Sequence, residues 1–248
     1  MAKVYLSPAY HKFNPCAIAG CDETTHNNLY LDELEVFLTA CGIEWKRGPR
    51  RVPNSNEDGD ILMRRAVAES DAWGAEVHYV SHTNASTNLA ADGVGSGKAR
   101  GCRPIIFQGS QRGERLALFM VARRRQVYDG AISLNRRSDL YELRTPKAVS
   151  FYEEHVFHDN PQDARWFHDN LRAVARSAAK GLCDYFALPF VEPYTVADPP
   201  QDTPTEDTPA TLYRVQVGAF TSRSGAESLL KAVREAGFGE AFIASVPR

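Results

Sequence analysis

Ala148-Val149-Ser150-Phe151-Tyr152-Glu153-Glu154-His155-Val156-Phe157-His158-Asp159-Asn160, running into Pro161-Gln162-Asp163-Ala164-Arg165-Trp166, is the stretch on which the fold turns. Val149 to Tyr152 is a short apolar run with strand character that ends in two adjacent carboxylates. A polar turn follows, and a helix is expected from Asp163. In an open α/β sheet this layout puts an acid at the carboxyl end of a strand, the edge where such folds keep their chemistry. Neighbouring strand residues face opposite ways, so only one of Glu153 and Glu154 can serve such a site.

The same alternation of strand and helix continues outward in both directions. Val4 to Ser7, Ile43 to Lys46, Glu76 to Ser81 and Ile105 to Gln108 read as further strands. Helices are expected over Asn27 to Ala40, with Leu31, Leu34 and Leu38 on one face, over Ile61 to Trp73, and over Arg112 to Arg124. One long helix should close the unit, from Asp163 to Phe186. This order argues for an α/β fold, a mostly parallel twisted sheet with helices on both faces, occupying residues 1–188.

Residues 189–210 change character. Pro193, Pro199, Pro200, Pro204 and Pro209 alternate with Asp198, Asp202, Glu206 and Asp207, a composition that extends rather than folds. Residues 211–248 then read as a small β-α-β module: a strand from Leu212 to Ala219, a helix from Ser224 to Ala236 closed by Gly237, and a strand from Ala241 to Ser245. Such a module is too small to bury a core alone.

A net charge of −2 across 248 residues gives no bulk reason to expect nucleic acid or an anionic membrane as partner. Arg123-Arg124-Arg125 is expected to be a solvated helix face. No apolar run approaches the ~20 residues that cross a bilayer. The N-terminus reads directly as a strand rather than a secretory leader, so synthesis in the cytoplasm is expected. The five cysteines (Cys16, Cys21, Cys41, Cys102 and Cys183) lack a disulfide framework and are expected to be free thiols. Cys16 and Cys21 are loosely spaced with no second pair at zinc-finger distance, which argues against a cysteine-held structural metal.

The chemistry-bearing candidates cluster at the expected strand ends. His11 follows the first strand, Glu23 precedes the first helix, and His82 follows the third strand. Each has an ordinary role by itself: a solvated loop imidazole, a carboxylate favoured at a helix N-terminus, a packed histidine. Together, two imidazoles and a carboxylate suit a catalytic zinc, which takes three protein ligands and leaves room for water. The missing proton shuttle is offered by the Glu153/Glu154 pair, of which only one can face the site.

These segments resemble the zinc-dependent N-acetylmuramoyl-L-alanine amidases of the amidase 3 type. Glu154-His155-Val156-Phe157-His158-Asp159-Asn160 is similar to the family's strand-ending Glu-x-x-Phe and the turn after it, with Phe157 fixing the register on Glu154. Ser81-His82-Thr83-Asn84-Ala85 is similar to the segment carrying a zinc histidine, and Glu23 matches the zinc glutamate. The family's Gly-His-Gly-Gly is absent; His11 stands nearest in Ser7-Pro8-Ala9-Tyr10-His11, with His26 as the alternative first ligand. The resemblance implies Zn2+ held by His11, Glu23 and His82, Glu154 as general acid–base, and Asn84 and His158 in contact with substrate or behind the ligands. Tyr213-Arg214-Val215-Gln216-Val217-Gly218-Ala219-Phe220 in the tail resembles the opening half of a SPOR domain, a module that binds peptidoglycan.

The implied function is hydrolysis of the amide joining N-acetylmuramic acid to L-alanine, by a phage endolysin or a sporulation autolysin acting on the cell wall after release. A zinc peptidase acting on the stem peptide, or a wall-binding protein with a degenerate metal site, remain as alternatives. Pairing of two tails to complete one module, giving a homodimer, is a further expectation. The Gly93-Val94-Gly95-Ser96-Gly97-Lys98 run lacks the ending of a phosphate loop and reads as a site rim.

Overall fold

The computed structural model describes residues 2–11, 13–50, 56–87, 96–193, 222–235 and 241–244. Its contacts divide the chain into two units, residues 1–195 and 196–248.

In the first unit, six strands form one sheet: β1 (Lys3–Pro8), β2 (Glu44–Arg47), β3 (Val77–Asn84), β4 (Arg103–Phe107), β5 (Asn135–Arg137) and β6 (Val149–Phe157), in the order β2-β1-β3-β6-β4-β5. The strands β2, β1, β3 and β6 run parallel, so the ends of β1, β3 and β6 share one edge. β4 lies antiparallel to β6 and parallel to β5. The sheet is therefore mixed at one side and parallel elsewhere.

Alternation along the strands divides the core. Val4, Leu6, Tyr79 and Phe151 belong to the larger cluster, together with α1 (Glu23–Ala40), α3 (Gln111–Arg124) and α6 (Leu171–Phe186). Tyr5 points the other way and meets Tyr10 and the Leu62 and Ala66 face of α2 (Gly59–Trp73). Helices thus cover both faces. α3 and α6 approach so closely that a Cβ on Gly181 would stand 2.6 Å from Met120 Sδ and 3.0 Å from Met120 Cα. Only glycine lets the two backbones meet there.

Several boundaries differ from the sequence expectations. α1 starts at Glu23, four residues early, because Asp22 caps it by accepting from the Thr25 N–H at 2.9 Å. The closing helix is two: α5 (Pro161–Asp169), capped by Asn160 with Pro161 in its first turn, and α6, broken apart at Asn170. β6 does not stop at the carboxylates but continues to Phe157, since Glu153 and His155 find buried partners. β5, made of three polar residues, and the one-turn α4 (Tyr141–Arg144), too short to show a helical period, went unread.

The reading of Arg123-Arg124-Arg125 as a solvated face is corrected at its centre. Arg124 is 2% exposed and donates to Glu153 Oε1 at 2.6 Å, while Arg123 pairs with Asp184 and Arg125 is exposed. Arg124 also donates to His155 Nδ1 at 3.0 Å. His155 Nε2 meets Ser81 Oγ at 3.0 Å, Ser81 donates to Asn27 Oδ1, and Asn27 donates to the Glu23 carbonyl. A buried polar chain therefore runs from α3 through two strands to the first turn of α1.

All five cysteines are free, as expected. In the second unit, α7 (Arg223–Glu235) matches the expected helix. Residues 241–244 are not a strand, having no strand partner among the described residues. The expected linker from 194 onward and the Leu212–Ala219 strand lie outside the described residues. No described helix is long and apolar enough to cross a membrane.

Candidate metal centre

The shared edge of β1, β3 and β6 gathers three donors. His11 stands in the loop after β1, Glu23 opens α1, and His82 lies near the end of β3. His11 Nε2 is 3.3 Å from Glu23 Oε2, and His82 Nδ1 is 3.0 Å from Glu23 Oε1. Their donor atoms all lie within 4.8 Å of one another, and the two imidazoles meet edge to face at 5.4 Å. Glu23 is 1% exposed while half of the His11 side chain is open to solvent. His26 is directed elsewhere, towards Cys16 and His168.

Parallel pairing sets His82 against Glu154 as direct neighbours on β3 and β6. Tyr152, two residues before Glu154 on the same face, stacks on His82 at 4.8 Å. Of the carboxylate pair, Glu153 faces the core and Arg124, and Glu154 faces the donors. Glu154 Oε2 is buried with no hydrogen-bond partner among the described residues. An unsatisfied acid beside a clustered imidazole–carboxylate set is costly unless something else occupies the space.

Electrostatics follow from this crowding. Burial alone would raise the Glu23 carboxyl, but the His82 hydrogen bond and the charges of His82 and His11 bring it down to about 2. Burial pushes Glu154 up to about 7, with His82 opposing and Glu23 reinforcing the rise. Burial depresses His82, yet its bond to Glu23 and the nearby carboxylates leave it raised.

The donors are held by residues that sequence reasoning missed. Asn14 Nδ2 donates to Glu23 Oε2 at 2.7 Å, and the Thr83 N–H donates to Glu23 Oε1 at 3.0 Å. Thr24 Oγ1 donates to the His11 carbonyl at 2.9 Å. Thr83 Oγ1 also meets His158 Nδ1 at 2.9 Å, so His158 stands behind Glu23 through one threonine, whose hydroxyl faces the ring and whose N–H faces the carboxylate. The His158 N–H donates to the Asn84 carbonyl, and the Asn84 side chain accepts from the Ala85 N–H. Asn84 and His158 are thus tied to backbone and Thr83. The only signal for Asn14 and Thr83 was their closeness in sequence to His11 and His82.

Fold and geometry together describe an α/β protein with an imidazole–carboxylate centre at its strand ends. Two imidazoles and a carboxylate with an acid alongside are the donor chemistry of hydrolytic zinc, so these residues fit that ion.

The fold is that of N-acetylmuramoyl-L-alanine amidase catalytic domains. The chain is similar to the catalytic domain of CwlV, an N-acetylmuramoyl-L-alanine amidase from Bacillus (Paenibacillus) polymyxa var. colistinus, at 15% identity and a TM-score of 0.61, covering 76% of this chain and 100% of that one. It is similar to the amidase AmiC2 of Nostoc punctiforme at 16% identity and a TM-score of 0.61, covering 75% and 97%. The catalytic domain of the CD27L endolysin targeting Clostridia difficile gives 14% identity and a TM-score of 0.62, covering 74% and 98%. Residues 197–244 match the SPOR domain family. No curated protein matches the sequence.

Proposed function

We propose that this chain is a peptidoglycan hydrolase that cleaves the amide between the lactyl group of N-acetylmuramic acid and L-alanine. The observation that carries the reading is the meeting of His11, Glu23 and His82 within 4.8 Å, with Glu154 on the adjacent strand. His11, Glu23 and His82 would hold Zn2+, which when bound makes water more acidic and polarises a carbonyl oxygen. Glu154 takes a proton from the attacking water as its oxygen adds to the lactyl carbonyl carbon. The same carboxyl then delivers that proton to the alanine nitrogen as the C–N bond breaks, and the remaining hydroxyl proton passes to the released amine, leaving a lactyl carboxylate and an alanine ammonium. An acid raised towards neutrality by burial is suited to both transfers, and a dication alongside would draw it lower. Asn14 and Thr83 keep Glu23 oriented; His158 fixes Thr83.

The SPOR-family match supports a tail that binds peptidoglycan and keeps the catalytic unit on its substrate. We assign catalysis to residues 1–188, a linker to 189–210 and wall binding to 211–248. The test is digestion of purified cell walls followed by mass analysis. New N-terminal alanine with intact stem peptides supports the amidase reading. Cuts within the stem peptide would replace it with a peptidase, and no cleavage with zinc bound would leave a wall-binding protein.

A further inference from the structure

The loop between β1 and α1 folds a second set of donors together. The sulfurs of Cys16 and Cys21 and a ring nitrogen of His26 all lie within 4.8 Å of one another. Cys16 and His26 are 2% and 1% exposed, and Cys21 is partly open. The loop doubles back so that the Cys16 N–H donates to the Cys21 carbonyl at 3.0 Å, beside a bridge between Pro15 and Asp22. His26, one turn into α1, directs Nδ1 to Cys16 Sγ at 3.4 Å. Its other nitrogen, Nε2, meets Nδ1 of His168 from α5 at 3.0 Å.

We propose that Cys16, Cys21 and His26 form a second metal site, for a thiolate-preferring dication such as Zn2+, separate from the His11, Glu23 and His82 centre. Two thiolates and one imidazole suit zinc and leave a fourth position for water. The outer hydrogen bond is the second reason. A ligating histidine characteristically spends its remaining N–H on a fixed partner, and His168 Nδ1 stands where His26 Nε2–H would donate to it, in the tautomer that turns the Nδ1 lone pair to the sulfurs. Binding displaces the two thiol protons to solvent, and a doubly charged ion then sits neutralised by two thiolates. Sequence spacing argued against such a site because it looked for four cysteines; the missing ligand is a helix residue five positions on.

The site acts as a clamp on the loop that presents His11. Ala17 N–H donates to the His158 carbonyl, Glu23 N–H to the Asn14 carbonyl, and Thr24 Oγ1 to the His11 carbonyl. A metal fixing Cys16 to Cys21 and His26 therefore holds the backbone between both ends of the first centre.

The test uses the full chain, stripped and reloaded with Zn2+ or Co2+, measuring bound metal and the thiolate-to-cobalt charge-transfer absorption. Wild type should bind two equivalents and show the band. Cys16→Ser with Cys21→Ser should bind one and lose it, while Glu23→Gln should lose the other equivalent and keep the band. As a check independent of variant folding, Zn2+ should slow iodoacetamide labelling of Cys16 and Cys21 in wild type by about tenfold or more, with Cys41, Cys102 and Cys183 unaffected. One equivalent without the band, unprotected labelling, or a Cys16–Cys21 disulfide persisting under reductant would overturn the site. Because Glu23→Gln addresses only the first centre, failure of one site is separable from failure of the other.

Discussion

Replacing Arg124 by Met should be among the most damaging single changes in this protein, although the residue lies in a run of three arginines. Both partners of the Arg124–Glu153 pair are 2% exposed. Removing the guanidinium leaves a carboxylate in the core with Tyr79 Oη at 2.5 Å, the weak Cys102 thiol at 3.6 Å and the uncharged His155 ring at 3.7 Å, none of them a counter-charge. An orphaned buried charge of this kind costs about 3–5 kcal/mol, against a total stability of about 5–15 kcal/mol for a domain. At about 2–4 °C per kcal/mol for a unit of this size, melting should fall by roughly 6–20 °C. Arg125→Met, at an exposed neighbour, should fall within about 0.5 kcal/mol of wild type. Adding Glu153→Gln to Arg124→Met should recover part of the loss, since the amide needs no counter-charge. Calorimetry of the four proteins decides the matter. An Arg124→Met shift no larger than that of Arg125→Met would refute the reasoning.

Other expectations follow from the same geometry. Glu154→Gln should retain its melting temperature and metal content while wall lysis falls by ~10² or more; lysis at the wild-type rate would remove Glu154 from the chemistry. Chelation should abolish lysis and lower the melting temperature, and Zn2+ should restore both, as expected of an ion that binds only the folded state; an unchanged melting curve would count against the first centre. His155 is fully buried, and burial, with the charges of Arg124 and His82 adding, holds its imidazole well below 6.5. The folded chain stays neutral there while the unfolded chain takes up a proton below pH 6.5, so stability falls as pH drops, by up to about 1.4 kcal/mol per unit. Urea midpoints between about pH 7 and pH 5 should show this slope, and His155→Gln should flatten it; identical slopes in both proteins would be the contrary result.

Much of the fold was legible because burial imposes periodicity. β1 and β3, buried but for Lys3 and Asn84 at their ends, and the Leu31–Leu34–Leu38 face of α1 supply much of the core and carry its apolar signature. β5 escaped notice because Asn135, Arg136 and Arg137 are polar residues on an edge strand. The reversed direction of β4 left no local trace, since pairing with β6 is decided by residues about 50 positions away. Arg124 was misread for a similar reason: its partner lies 29 residues on, in a different element. At the site, the donors were legible as residue types near strand ends. Asn14 and Thr83, which hold Glu23 by ordinary amide and backbone groups, have no compositional mark. The proximity of Cys16, Cys21 and His26 arises from a reversal of the loop that spacing alone does not encode.

The first centre joins parts of unequal stiffness. His82 and Glu154 are adjacent rungs of a sheet covered on both faces, and Glu23 is anchored by hydrogen bonds with Asn14, His82 and Thr83. His11 follows buried Ala9 and Tyr10 in the loop after β1, its side chain half open to water. An ion held there would therefore find in His11 its least supported ligand, and its escape would start with His11 letting go. Residence time should then track how firmly that loop is pinned, which places control of ion loss in the stretch from Ala9 to Asp22 rather than in the sheet.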